Sequence, residues 1–538
     1  MTRVPRAFSI WRIMLIRADS SIRWRIIGIS TTKMKNSQNS CESSALIGVG
    51  SIKRFYPVRY TAVMRRWRWV WFWVLWIGML HAVSEPRSLW GISIEEYAQR
   101  RARLAQQLEA DQMVVLASEP PAPTRMRYRQ ESHFMYLTGV ETPNAVLVIL
   151  PPNSPTGESE VLFLARQSRL SQIFEGLTFQ PDKETESATG IRVVRPISEL
   201  SDFLRDALSH HPKVLLHRPA RPGYAETLRS LQPEVEVLSI ERAMAELRLV
   251  KSPAELRLIR KAVEASMEAH HNLACAIKPG VYEYELEAIA QATFRRHGSE
   301  HEAYPCIIGS GPNSCILHYN ANKRRMQAGE LVLVDIGAEY SYYAADITRT
   351  YPVSGKFSKR QRELYLAILS AKKAVEQYAR PGMTLRDLHQ RAVEVLRSSP
   401  LRARDASGEE RTLDAFFVHG LSHMMGMDVH DPDLGKPLQP GMVFTIEPGV
   451  YIPTENIGIR IEDDYLMTGK GVVNLSSALP TEPDAIERMM RLPRAPNRSR
   501  SPLPLTWSAG KIGQKSLWKR PLRPTPAECA TESQASSL

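Results

Sequence analysis

Four acidic residues stand inside stretches of sequence that otherwise have the character of buried strands. Asp335 closes the apolar run "LVLV", and Asp346 lies in "AADITRTY". Glu447 is enclosed by "MVFTIEPGVYI", and Glu462 lies in the alternating stretch "IGIRIEDDYLM". An ionised carboxylate in such surroundings costs several kcal/mol unless it is paired with a cation or binds a metal. The sequence therefore favours a fold that brings cations to these positions.

The arrangement of two of these acids predicts that they meet. Asp335 and Asp346 belong to two extended stretches with Gly337 and Ser341 between them. Such stretches can pair as a hairpin and bring both carboxylates to one place.

The charge balance of the group indicates a pair of metal ions. In "IGIRIEDD" the period of two places Arg460, Glu462 and Asp464 on one face of the strand. One guanidinium neutralises about one of four carboxylates, whereas two divalent cations neutralise about four, because like charges at one site repel. Oxygen-rich ligation with an imidazole favours Mn²⁺, Co²⁺ or Zn²⁺.

The segment "HGLSHMMGMDVHD" (419–431) concentrates three histidines among apolar residues. His419 and His423 are four apart, so on a helix they would share a face, as in a zinc-binding pair. His430 follows near the end of the segment. The spacing alone leaves open whether both, one or neither of the first two binds metal, since packed core or surface histidines have the same pattern.

Charge and cysteine content exclude several classes of function. The net charge is +13, but residues 1–84 contribute +12 and residues 494–538 contribute +6, which leaves about −5 for residues 85–493. A nucleic-acid-binding surface on the body of the protein is therefore not supported. The five cysteines show no CxxC pairing, so neither a disulfide framework nor a thiolate zinc site is indicated.

Both ends of the chain differ from its body. Residues 64–84 have the order of a secretory signal: arginines, then an apolar run, then "AVS". We expect an exported protein, periplasmic or secreted, if translation starts at Met64, and a cytoplasmic one otherwise. Residues 1–63 are then an N-terminal extension from a mis-assigned start. Residues 494–538 are rich in Pro, Ser and basic residues and are predicted to be a disordered tail.

The body of the chain is predicted to be α/β with two domains. Residues 85–245 alternate helices with apolar strands, beginning with a capping box of Ser93 and Glu96. A second start follows at Ser252, with Pro253 at the first helical position and a long amphipathic helix predicted to end at Gly280. Residues 246–493 are therefore expected to form the second domain.

At this point the motifs resemble those of a known family. The segments "VDIGAEY", "ADITRTYPV", "HGLSHMMGMDVHD", "TIEPGVYI" and "GIRIEDD", in this order, are similar to the pita-bread metallopeptidases, and within them to aminopeptidase P. "GSGPNSCILHYNAN" and "YRQESHFMYLTGVETPNAVLVIL" support the subgroup. The resemblance covers roughly residues 90–490. It implies an N-terminal α/β domain followed by a pita-bread (creatinase/aminopeptidase-type) catalytic domain.

The resemblance also implies a site with two divalent metal ions, Mn²⁺ being favoured over Co²⁺ and Zn²⁺. Asp346 and Glu462 would bridge both ions, Asp335 would bind the first, and His423 with Glu447 the second. Glu447 would also act as the proton shuttle. Four further residues would contact the substrate or assist catalysis: His318, His419, His430 and Arg460.

The implied activity is that of a metal-dependent exopeptidase that releases the N-terminal residue before a proline. A hydroxide bridging the two ions would be the nucleophile. Its partners would be peptides, with no nucleic acid, and a homo-oligomer (dimer or tetramer) is expected. The chain departs from the family pattern at His133, where an acidic residue or asparagine is expected.

Three other interpretations stay open at this stage. A prolidase, which cleaves only Xaa-Pro dipeptides, shares the five ligand positions. Methionine aminopeptidases do not have such an N-terminal domain, and inactive binding proteins on the same scaffold lack several of the ligands. Cleavage of a tripeptide separates an aminopeptidase from a prolidase, and metal content separates an enzyme from a binder.

Overall fold

The computed structural model describes residues 87–123, 126–217 and 222–491. The predicted extension (1–63), signal segment (64–84) and basic tail (494–538) lie outside the described residues. Among the helices that are described, none is both long enough and apolar enough to cross a membrane.

Helices and strands occur along the whole of the described chain. The helices are α1 Ile94–Ala105, α2 Ser132–Thr138, α3 Arg169–Glu175, α4 Lys183–Thr189, α5 Leu200–His210, α6 Pro222–Leu231, α7 Glu241–Arg248, α8 Pro253–Ala274, α9 Glu283–Arg296, α10 Lys359–Tyr378, α11 Leu385–Arg397 and α12 Pro483–Met490. The strands of the first half are β1 Ser88–Leu89, β2 Ile92–Ser93, β3 Gln112–Ala117, β4 Val146–Ile149, β5 Glu160–Leu164, β6 Val194–Pro196, β7 Lys213–Leu216 and β8 Glu236–Ser239. Those of the second half are β9 His301–Glu302, β10 Ile307–Ser310, β11 Leu331–Ile336, β12 Ala338–Tyr340, β13 Tyr343–Ala344, β14 Ile347–Pro352, β15 Arg402–Arg404, β16 Glu410–Thr412, β17 Val443–Ile446, β18 Gly449–Ile452, β19 Ile457–Arg460, β20 Asp463–Thr468 and β21 Gly471–Asn474.

The N-terminal half is built on one mixed six-stranded sheet with the order β6-β5-β4-β3-β7-β8. Its central strands β3 and β4 pair antiparallel, whereas β7 runs parallel to both β3 and β8. The buried runs of these strands match the apolar segments of the sequence, and side chains on one face pack against helix α5 through Phe203 and Leu204. This half is the predicted N-terminal α/β domain.

The second half places short antiparallel sheets against long helices. β10, β11 and β14 form one sheet, and β17, β20 and β21 form another. Helix α8 packs along α9 and against β12, β13 and β14, while α10 packs along α11. The two sheets approach each other at β14 and β20, and this junction carries the predicted carboxylates.

The predicted residues Ser93 and Ser252 cap their helices. Two details differ from the prediction, the role of Glu96 and the end of α8. Ser252 and Glu255 cap α8 reciprocally, and Pro253 is its first residue. Ser93 caps α1, but the Glu96 carboxylate accepts hydrogen bonds from Arg100 and from the Ser252 hydroxyl instead of closing a box. The predicted end of α8 at Gly280 is wrong, because the helix ends at Ala274 and Gly280 lies in the following turn with a φ of 93°.

A buried ion cluster joins the two halves. The Arg248 guanidinium, at the end of α7, donates to Asp428 at 2.7 Å, to Asp431 at 2.5 Å and to Nδ1 of His133 at 3.0 Å. Lys251 donates to the second oxygen of Asp431 at 3.0 Å. Because Asp431 closes the histidine segment, this cluster ties that segment to the N-terminal half.

Candidate metal centre

The predicted carboxylates converge around one tyrosine and one histidine. The Tyr304 hydroxyl lies 2.5 Å from Asp335 Oδ1 and 2.6 Å from Asp346 Oδ1, and its single proton serves one of them at a time. One side-chain atom each of Asp346, His423 and Glu462 lies within 4.8 Å of the other two. Donors at such mutual distances are compatible with a shared metal ion.

Strand pairing explains how the first three carboxylates meet. β11 and β14 are antiparallel, with Asp335 opposite Thr348, as the hairpin prediction required. Asp346 stands directly before β14. The Thr348 hydroxyl donates to Glu462 Oε2 at 2.6 Å, and the Glu462 amide donates to the Thr348 carbonyl at 3.1 Å. β14 therefore holds Asp335 on one side and Glu462 on the other.

A glycine allows the turn that starts this arrangement. Gly337 follows β11, and a Cβ there would lie 1.9 Å from the Ala345 carbonyl oxygen. Only a residue without a side chain permits this backbone approach. The close contact brings the residue before Asp346 against the end of the strand that carries Asp335.

His423 and Glu447 are brought together by backbone pairing of an irregular segment. The Thr445 amide donates to the His423 carbonyl, and the Glu447 amide donates to the Leu421 carbonyl. His423 Nε2 then lies 3.4 Å from Asp346 Oδ2 and 3.5 Å from Glu447 Oε1. Its Nδ1 donates to the Met424 carbonyl at 3.1 Å. This bond fixes the orientation of the ring and directs Nε2 at the carboxylates, so that loss of the Nε2 proton would free this nitrogen to bind a metal ion.

The electrostatics of the centre favour cation binding. Burial raises the pKa of Glu447 to about 8 and that of Asp335 to about 6, and it raises the pKa of Glu462 far above its usual range. Burial alone would lower the pKa of His423, but its contact with Asp346 raises it to about 9. Without added positive charge, the group holds protons at neutral pH. The donor set therefore fits divalent cations, which would replace those protons.

Arg460 provides the one fixed positive charge inside this group. Its guanidinium donates to Asp335 Oδ2 at 2.5 Å, to the Thr348 hydroxyl at 3.1 Å and to the Tyr451 hydroxyl at 2.7 Å. The side chain is 4% exposed. Arg460 thus orients a carboxylate and a tyrosine, and all three of its nitrogens are engaged.

The three remaining predicted histidines surround the centre. His419 Nε2 lies 2.9 Å from the Tyr451 hydroxyl, and its Nδ1 lies 3.7 Å from Glu447 Oε2. Burial, with the nearby Arg460 charge, lowers the pKa of His419 to about 4, so this ring is neutral at pH 7. The ring of His430 lies 4.3 Å from that of His423. His318 is exposed on the turn after Gly311–Cys315, close enough to lower the pKa of both His419 and His430.

The histidine segment is not helical, so the condition under which His419 and His423 would share a helix face is not met. Residues 417–431 form no helix, and the isolated bridge between Met424 and Phe444 shows an extended backbone. The spacing of four residues therefore does not place His419 and His423 on one helix face. His419 and His423 both face Glu447, but they reach it from an irregular segment.

Comparison with known proteins identifies the family to which this arrangement belongs. Residues 257–469 match metallopeptidase family M24, and residues 97–216 match the aminopeptidase P N-terminal domain. The Xaa-Pro aminopeptidase of Escherichia coli K12 is 34% identical over 74% of this chain and 98% of that protein. The chain belongs to metallopeptidase family M24. Human Xaa-Pro aminopeptidase 3 is 31% identical over 74% of this chain and 86% of its own length.

Solved structures show the same fold. Zn-substituted E. coli aminopeptidase P in complex with product has a TM-score of 0.69 and 33% identity, covering 74% of this chain and 98% of that one. This M24 protein therefore has the N-terminal domain and the pita-bread catalytic domain that the motifs implied, and it is a metal-dependent peptidase.

Several residues of the M24 centre were not predicted from the sequence. Tyr304, Thr348 and Tyr451 each bond to a predicted site residue, and Asp464 accepts the backbone N–H of Asp346 at 3.1 Å. Asp464 had been placed on the same strand face as Glu462, which was a signal for its position. A single tyrosine or threonine hydroxyl in a strand carries no comparable signal.

The pKa values predict that metal loading releases protons. Glu447, with a pKa of about 8, and His423, with a pKa of about 9, must both lose a proton to become ligands. Apparent metal affinity is therefore expected to rise with pH between about 6 and 8, with about two to three protons released per centre at pH 7, since Glu462 is protonated as well. Calorimetric titrations in buffers of different ionisation enthalpy measure this number. Metal binding without proton release between pH 6 and 8 would contradict the assignment.

Proposed function

We propose that the chain is an Xaa-Pro aminopeptidase that works with two Mn²⁺ ions. The observation that carries this proposal is the convergence of Asp346, His423 and Glu462 side-chain atoms within 4.8 Å of one another, in a chain of the M24 family. The ligands would be Asp335, Asp346, His423, Glu447 and Glu462. When bound, the ions would supply Lewis-acid activation of the scissile carbonyl and of water.

Side chains around the ions would handle the protons and the peptide. Glu447, whose Oε1 lies 3.5 Å from His423 Nε2 at the edge of the centre, would accept a proton from the attacking water and pass it to the departing prolyl nitrogen. His318 is exposed to solvent near the centre and would donate a hydrogen bond to the developing oxyanion. The proline ring of the substrate would lie against His419, whose imidazole is held in position by the Tyr451 hydroxyl.

The geometry favours an aminopeptidase over a prolidase. A prolidase needs a cation for the carboxylate of its dipeptide substrate, and Arg460 was the sequence candidate for that role. All three Arg460 nitrogens bond to Asp335, Thr348 and Tyr451, and the side chain is 4% exposed. It is therefore committed to the protein and not to a substrate carboxylate. The inactive-binder interpretation loses support because all five ligand positions are occupied by suitable donors.

We also propose, from the sequence alone, a homo-oligomer (dimer or tetramer) and export of the protein if translation starts at Met64. N-terminal sequencing of the mature protein and light scattering test these two points.

A peptide panel after chelation tests the proposed function. We expect Xaa-Pro-Ala tripeptides to be cleaved after the first residue and Xaa-Ala-Ala peptides to be left intact. EDTA treatment should lower kcat/KM by at least about 100-fold, because the ions supply several kcal/mol of stabilisation, and Mn²⁺, Co²⁺ or Zn²⁺ should restore it to different degrees. Mass spectrometry of the products measures both points. Activity that is indifferent to chelator, or cleavage of Xaa-Pro dipeptides only, would refute the proposal.

A further inference from the structure

A polar cavity of about 490 Å³ lies between the N-terminal half and the end of the histidine segment. Its walls include Glu119, Glu131 and Glu241 from the first half and Asp428 and His430 from the second. Among the described lining residues there is no large aliphatic or aromatic hydrocarbon side chain. The cavity is large enough for a long amino-acid side chain, and its chemistry does not favour an apolar one.

The cavity adjoins the metal centre at His430. His430 lines the cavity, and its ring lies 4.3 Å from that of His423. His419 flanks the centre at Glu447 instead, 3.7 Å from its carboxylate. A peptide whose scissile carbonyl lies at the centre and whose proline lies towards His419 can direct its first residue towards His430 and the cavity.

One of the four carboxylates in the cavity wall is already neutralised. Asp428 accepts a hydrogen bond from Arg248 at 2.7 Å and lies 3.6 Å from the Arg129 guanidinium. Arg129 in turn pairs with the buried Glu339 at 2.8 Å. These two arginines therefore leave no positive charge for the other three carboxylates.

The imidazoles of His133 and His217 supply at most one positive charge. Arg248 donates to His133 Nδ1, so His133 is neutral and donates from Nε2 to Glu241 at 3.1 Å. His217 lies 2.6 Å from Glu241 and 3.6 Å from Glu131, and these carboxylates raise its pKa although burial opposes this. The set of His133, His217, Glu131 and Glu241 thus carries a net negative charge even when His217 is protonated.

Glu119 adds a third carboxylate to the cavity wall. Within the described parts of the chain, its carboxylate makes no ion pair or hydrogen bond, although its backbone bonds to Gln130 and Tyr128. Three carboxylates thus face at most two imidazolium groups, those of His217 and His430, across a cavity beside the reacting bond. A lysine or arginine side chain would supply the missing charge.

We propose that this cavity is the specificity pocket for the first residue of the substrate and that Glu119 and Glu241 select lysine or arginine there. The proposal rests on the Xaa-Pro aminopeptidase activity argued above. It uses His133, the position at which this chain departs from the family pattern, because His133 rather than an acid holds Glu241 in the wall.

Matched peptides test the charge preference. Lys-Pro-Ala and norleucine-Pro-Ala differ mainly in the ammonium group, so we expect kcat/KM to be about five- to tenfold higher for the lysine peptide. Glu119→Gln and Glu241→Gln should each remove most of this ratio, because they should lower kcat/KM for the lysine peptide more than for the norleucine peptide. Glu234→Gln is the control, because Glu234 is exposed and outside the cavity. Its ratio should equal that of the unmodified protein.

A binding measurement separates this proposal from the proposed function. Calorimetry with a hydrolysis-deficient Glu447→Gln variant should show the same preference for Lys-Pro-Ala, and Glu119→Gln added to it should abolish that preference. Equal affinity for both peptides, or an equal effect of Glu119→Gln on both, would overturn the pocket assignment. Absence of hydrolysis of every peptide by the unmodified protein would instead refute the aminopeptidase activity, while the binding ratio would still decide the pocket.

Discussion

Replacing Glu462 by glutamine is expected to lower kcat/KM on Xaa-Pro-Ala peptides by about 1,000-fold, since the lost stabilisation is several kcal/mol. Glu462 is 1% exposed, and its Oε2 accepts the Thr348 hydroxyl at 2.6 Å. Glutamine keeps the shape but removes one of the negative charges that would hold the ions. The metal content of the purified variant, measured by inductively coupled plasma mass spectrometry, should fall with the activity.

The thermal stability of the same variant in the metal-free state provides an independent test. Burial raises the pKa of Glu462 far above its usual range, so the ionised carboxylate is unfavourable in the metal-free protein. Glu462→Gln should therefore leave the thermal midpoint of the metal-free protein unchanged or raise it. Glu455→Gln is the matched control, because Glu455 pairs with Arg360 outside the centre and should keep full activity. Full activity of Glu462→Gln, or a lower metal-free midpoint, would contradict the assignment.

Replacing Arg248 by methionine is expected to destabilise the protein by about 3–5 kcal/mol, the usual cost of breaking a buried ion pair. Arg248 is 2% exposed and bonds to Asp428, Asp431 and His133. Its loss would leave Asp431, also buried, with Lys251 as its remaining cation. Urea unfolding followed by circular dichroism and by tryptophan fluorescence measures the change.

A variant in the same helix serves as the control for Arg248→Met. Arg242 is 84% exposed and lies 3.9 Å from Glu246. Arg242→Met should therefore change the free energy of unfolding by less than about 0.5 kcal/mol. Equal stability of the two variants would show that the cluster between the halves contributes little. If Arg248→Met also widens substrate preference at the first residue, the cluster shapes the cavity as well.

The elements that sequence patterns predicted well are those with local causes. Ser252, Pro253 and Glu255 define the start of helix α8 by contacts within four residues, and the structure shows every one of them. The end of that helix was predicted too late, at Gly280, because a glycine marks a turn without saying how many turn residues precede it.

The carboxylates were predictable because burial makes them costly, and the structure brings them together as expected. Their supporting groups were not predictable, because those contacts join distant segments. Tyr304 precedes Asp335 and Asp346 by 31 and 42 positions, and its place between them depends on the pairing of three strands. The shape of the histidine segment was not predictable for the same reason. It follows from backbone pairing with β17 and from the ion pair between Asp431 and Arg248.

The ligands of the metal centre lie far apart in the sequence, and this affects when the chain can bind its ions during synthesis and folding. Asp335 leaves the ribosome long before His423, and Glu462 comes last, after most of the catalytic half has been synthesised. A nascent chain therefore cannot capture its ions through a short local motif, and the pair β11 and β14 has to pack against β20 before the ions are loaded. Until an ion arrives, Tyr304, Arg460 and bound protons keep the carboxylates from repelling one another. The fraction of active molecules in a cell would then be set by ion supply after translation rather than by the rate of synthesis.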